Sequence, residues 1–117
     1  MNETVDATSG MKKLGTRSSE EDFALELAHL GRFSAGAITG APVPGIGESD
    51  RGILPEPYWA AAGEAVYAVF SYGTPIAWRT TGGEWQVPME RYSNTTNRHR
   101  EKIIRALDVY DVAVERI

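Results

Sequence analysis

Ala65-Val66-Tyr67-Ala68-Val69-Phe70 followed by Ser71-Tyr72-Gly73-Thr74-Pro75-Ile76-Ala77-Trp78 is the stretch that decides how this chain folds. Val66, Ala68 and Phe70 alternate with Tyr67, Val69 and Ser71. Both faces of such a strand are apolar, so it belongs in the centre of a sheet, with a helix on one face. Gly73-Thr74-Pro75 interrupts it, and Ile76 to Thr80 continues as strand or bulge. Thr81-Gly82-Gly83-Glu84 reads as a hairpin turn, because Gly-Gly supplies the positive φ angles that such turns need. Glu84 to Val87 returns as a strand, placing Trp78 and Trp85 where they can pack across the turn, and Pro88 ends the pairing.

Downstream, Thr95 or Thr96 caps a helix of about twelve residues. Ile103, Ile104 and Leu107 form one face of it, and Arg98, Lys102 and Arg105 the opposite face. Tyr110, Val112 and Val114 then alternate as in a final strand.

Upstream, Ser18 and Glu21 have capping-box spacing, and Glu20, Glu21 and Asp22 favour the positive end of a helix dipole. Phe23, Leu27 and Leu30 recur at helical spacing, and Gly31 is the stop signal. Residues 31–57 hold six of the twelve glycines and four of the six prolines, which predicts an irregular linker, a lid or a partner-binding loop. Pro57 suits the first position of a short helical turn, Tyr58 to Gly63. Beyond the initial Met1, residues 1–17 carry only Val5, Met11 and Leu14 as larger apolar groups and read as a disordered tail, with Met11 an alternative start. The expected product is an α+β fold. Residues 65–117 form a compact domain in which a small antiparallel sheet of three or four strands carries the 95–107 helix. An N-terminal helix and a long Gly/Pro loop, residues 18–64, precede it.

The region from Val66 to Arg105 resembles a small domain of unknown function that recurs in phages, plasmids and actinobacterial or archaeal genomes. The matching positions are Ser71, Tyr72, Thr74, Ile76, Ala77, Tyr92, Ser93, Thr95, Thr96, Arg98 and His99. Asn97 stands where that group usually has Ser, and Arg100 where it usually has Gln. The resemblance implies a phage or mobile-element setting and the host cytoplasm. It brings no catalytic residues, and residues 1–64 lie outside it.

Several chemistries are excluded. The chain has no cysteine, so disulfides, zinc–thiolate sites and Cys nucleophiles are ruled out. No apolar run approaches the roughly 18 residues of a membrane span, so a soluble protein without membrane contact is expected. The net charge of −4 divides into −5 over residues 1–64 and +1 over residues 65–117, which disfavours a generic DNA-coating protein. Gly45-Ile46-Gly47 lacks the companions of a nucleotide loop, and neither Gly-x-Ser-x-Gly nor His-Glu-x-x-His occurs. His99 and Glu101, two apart on a helix, face differently, so no metal site and no cofactor is expected.

The candidate site is therefore a binding surface made of Tyr72, Thr95, Thr96, Arg98, His99, Arg100 and Lys102. The start of the 95–107 helix is friendly to anions, and Arg98, His99 and Arg100 together suit a phosphate or a partner's carboxylate. Arg100 lies near the apolar face by phase; it snorkels, pairs with Glu84 or Glu90, or takes an outside anion. The leading expectation is a non-enzymatic module contacting a host or phage protein. The first alternative is nucleic-acid binding through Arg98, Arg100, Lys102 and Arg105, with Tyr72 or Trp78 stacking on bases. The second is a small enzyme using His99 as general base.

Overall fold

The computed structural model describes residues 11–15 and 18–117. Residues 1–10, 16 and 17 of the expected tail lie outside them. Seven strands form one mixed sheet whose spatial order is the chain order: β1 (Met11–Lys13), β2 (Arg32–Ala35), β3 (Ile38–Pro42), β4 (Ala65–Ser71), β5 (Thr74–Thr80), β6 (Trp85–Val87) and β7 (Val114–Arg116). The described helices are α1 (Glu20–His29), α2 (Trp59–Ala62) and α3 (Asn94–Val109). The fold is α+β, but the expected antiparallel sheet of three or four strands is overturned. Residues read as tail and linker supply β1, β2 and β3, and the two outermost pairings are parallel.

β1 reaches β2 through α1, and β6 reaches β7 through α3, so a crossover unit stands at each end of an antiparallel meander. Between β2 and β6 lie four antiparallel steps, which leave these two strands pointing the same way. Parallel crossovers share one hand, so both helices fall on one face of the sheet. There Phe23, Ala24 and Leu27 of α1 meet Ile103, Ala106 and Leu107 of α3 over Tyr67, Val69, Ala77 and Val87.

The hairpin between β4 and β5 is where the sequence reading needs most correction. The chain does not run on through Gly73 with a bulge; it reverses at Tyr72–Gly73, with Ser71 opposite Thr74. Both turn residues have positive φ, 50° and 80°, the signature of a two-residue type I′ connection. Val66 and Ile76 are extra residues at two breaks in the register, and Pro75 sits beside one of them, where a missing N–H is tolerated. The bulge at Val66 turns Ala65 to the same face as Ala68.

That second face carries its own core. Ile46 and Leu54 from the Gly/Pro segment, with Ala62 of α2, close over Ala65, Ala68 and the fully buried Trp78. Each of the two aliphatic side chains contributes roughly 1.5–3 kcal/mol by burial, so the segment is a packed cover. Trp78 and Trp85 do not meet across the turn. Trp85 belongs to the helix-side core, and Trp78 on the other side donates its indole N–H to Gln86 Oε1 at 2.8 Å.

Helix boundaries shift slightly. Ser19 and Asp22, not Ser18 and Glu21, make the capping box of α1, while Ser18 Oγ accepts from Gly15 N. Leu30, not Gly31, takes the left-handed cap position with φ 52°. α3 runs 16 residues, and its cap is Ser93, whose Oγ accepts from Thr96 N at 3.2 Å.

Candidate functional site

Ser71 ends β4 and is 1 % exposed. Its hydroxyl lies 2.7 Å from His99 Nδ1 and 3.4 Å from Thr96 Oγ1, so the end of the central strand is tied to the first turns of α3. Tyr72, next along the chain, is 68 % exposed and stacks on the His99 ring, with centroids 5.8 Å apart and an interplanar angle of 22°. Its N–H donates to Ala37 O at 3.0 Å, which anchors the turn to the β2–β3 connection. Beside it, Ile53 N–H donates to Thr74 Oγ1 at 3.1 Å, while the Ile53 side chain is 73 % exposed. One end of the sheet thus presents an aromatic and an aliphatic side chain to solvent on a hydrogen-bonded base.

His99 titrates below the usual histidine range. Burial disfavours its charged form, and the neighbouring Arg98 and Lys102 add to the effect. A neutral imidazole against a serine hydroxyl has the outline of a base and a nucleophile. Here the serine is enclosed by His99, Thr96 and the sheet. The pair ties the end of β4 to the first turns of α3.

The remaining residues of the expected site separate. Arg100, 8 % exposed, sends its guanidinium under the chain before α3. Nη1 donates to the carbonyls of Pro88 and Glu90, and Nε lies 3.4 Å from Glu101 Oε2. Arg100 neither snorkels nor pairs with the Glu84 or Glu90 carboxylate. It stands 5.9 Å over the ring of Tyr92, whose hydroxyl is buried without a partner among the described residues. Burial, with Glu90 and Tyr58 adding, pushes that phenol up to about 12. Asn97 closes the same loop, accepting from Tyr92 N at 3.0 Å and donating to Tyr92 O at 3.1 Å.

Lys102 donates to Ser18 O at 2.7 Å and lies 4.9 Å from the Phe23 ring centroid; Arg105 pairs with Glu20 at 2.9 Å. Thr96 is buried against Ser71 and Thr95 is half-buried in the first turn. Arg98 is exposed and makes no ion pair with the described residues. The structure thus groups Tyr72, Thr96 and His99, with Arg98 beside His99 in the chain, and commits Arg100 and Lys102 elsewhere. Sequence reasoning missed Ser71 as the buried tie beneath this surface and Ile53 as an exposed member of it. A hydroxyl ending an apolar strand was the available signal for Ser71, and nothing local marked Ile53.

Among the described residues no group of three His, Cys, Asp or Glu stands close enough to hold a metal ion, and no helix is long and apolar enough to cross a membrane. No curated protein and no solved structure matches the chain. A family model matches residues 27–112, which takes in β2, β3 and the whole Ser71–His99 arrangement and extends well beyond the Val66–Arg105 region of the sequence resemblance. On that match, covering most of its length, the chain belongs to a family of unknown function (DUF8033).

Proposed function

We propose that the protein is a non-enzymatic binding module of a phage or mobile element, acting in the host cytoplasm by contacting a host or phage protein through the surface around Tyr72. One observation carries this reading. A tyrosine occupies a left-handed turn position, φ 50°, that Asn or Gly would fill with less strain, and it remains 68 % exposed while stacked on His99. Backbone strain kept at an exposed aromatic residue is a reason to suspect use. A rigid aromatic anchor with an apolar neighbour, here Ile53, is how protein interfaces concentrate their affinity. The phage or mobile-element setting rests on the resemblance of the Ser71–His99 motif. The nucleic-acid alternative is less favoured, because Arg100, Lys102 and Arg105 already make contacts within the fold. The His99 enzyme is less favoured because Ser71 is enclosed.

The test is a tagged pull-down from host lysate with mass spectrometry. It compares the wild type, with and without nuclease, with Tyr72→Asn, which suits the turn and removes the anchor. A defined protein that survives nuclease and disappears with Tyr72→Asn is the expected result. Recovery that collapses with nuclease would transfer the assignment to nucleic acid. Capture indifferent to Tyr72→Asn would overturn the assigned surface.

A further inference from the structure

The end of the sheet far from Tyr72 holds a different feature. Because α1 and α3 lie on one face and return along strands that point the same way, they run parallel. Ser18 and Glu20 meet Lys102 and Arg105, and further along Leu27 and Leu30 share a cavity wall with Ala106 and Tyr110. Their C-terminal ends therefore diverge side by side over the β5–β6 turn. Between them opens a cavity of about 360 Å³, a size that small-molecule sites commonly have.

Leu27, Ala106, Leu107, Val112 and the Trp85 ring supply apolar walls. Among the described residues, Arg79 is the one charged side chain lining it. Arg79 stands opposite Trp85 on the neighbouring strand, and its Nη2 lies 3.4 Å from where a Cβ on Gly83 would be. Its guanidinium N–H groups bond to no described residue. Glu84, the acid in the adjoining turn, is held by Thr80 Oγ1 at 2.7 Å. A guanidinium with open donors beside an apolar hollow is matched by a planar carboxylate on a hydrocarbon body.

We propose that this cavity is a binding site for a small apolar carboxylic acid, its hydrocarbon body between Leu27, Leu107 and Trp85 and its carboxylate paired with the Arg79 guanidinium. The site is independent of the Tyr72 surface, so either assignment stands without the other. Titration of the full chain with octanoate, followed by ¹H–¹⁵N NMR, tests it. Saturable shifts are expected at the Trp85 indole N–H and at Leu27 and Leu107. Octanol and octylamine serve as probes of matched length without the negative charge, and should bind at least about tenfold more weakly. Arg79→Gln should weaken octanoate by a similar factor, and Arg79→Lys by less. Ala28→Phe, placed at the exposed rim, should block all three probes while leaving the melting temperature near wild type. Absence of shifts at these residues up to millimolar octanoate would overturn the proposal. So would equal binding of octylamine, or octanoate binding unchanged in a folded Arg79→Gln variant.

Discussion

At the scale of single residues, the buried cation and the half-buried imidazole of α3 have different partners and different consequences. Arg100 satisfies carbonyls of Pro88 and Glu90 that the turn before α3 would otherwise leave open. Its position on the apolar phase of the helix was legible as an anomaly, but its partners were not, because they lie in a segment without periodicity. His99 is tied to Ser71, 28 residues away, and no local pattern announces such a pairing. Its folded-state pKa is depressed, first by burial and then by Arg98 and Lys102. The unfolded chain therefore takes up a proton at this site at higher pH than the folded one does. The stability that neutral His99 contributes is present above about pH 6.5 and is lost as pH falls through the lower folded value. Urea midpoints measured from pH 8 to pH 5 should decline more steeply for the wild type than for His99→Gln. Parallel declines would assign the acid sensitivity to other groups.

At the scale of elements, caps decide more than composition does. Thr95 and Thr96 were the expected caps of α3, yet Ser93 holds that place and Thr96 turns inward to Ser71. Ser93→Ala should lower stability by about 1 kcal/mol, whereas Thr95→Ala should change it little; urea unfolding of the two variants separates them. A loss at Thr95 equal to that at Ser93 would contradict the observed cap. α1 and α3 were legible because each repeats its apolar residues at helical spacing, β4 because it is apolar on both faces, and β6 because a Gly-Gly turn and Pro88 bound it. β2 and β3 were not, because tertiary fit calls for small residues there and small residues read as loop. Gly40 shows the reason: a Cβ would run into the Phe33 ring and stand 2.7 Å from the Tyr67 hydroxyl. That hydroxyl donates to Gly31 O at 2.6 Å, and burial, with Glu26 adding, raises its pKa well above the usual tyrosine value.

At the scale of the whole molecule, the α+β class was legible and the size of the sheet was not. β1 has three residues, too few to show a period, whereas the expected final strand is present as β7 but confined to Val114–Arg116; both exist because α1 and α3 lay them beside β2 and β6. The second core was half legible. A strand apolar on both faces demands cover twice, and the Gly/Pro segment that supplies the second cover looked like a linker because Ile46 and Leu54 are widely spaced in it. Since sheet order equals chain order, each strand finds its neighbour after a short search. The seam between α1 and α3 is different: the Arg105–Glu20 pair spans 85 residues. Among the hydrogen bonds of the described residues it closes the longest loop, and the chain-entropy cost of closure grows with that length. Native-state hydrogen exchange should therefore find β4 and β5 opening only with global unfolding, and α1 releasing earlier as a separate cooperative unit; identical opening energies for the two would show the seam to be as early and as firm as the hairpin. The protein is thereby a zipper of neighbouring teeth fastened by one long-range clasp.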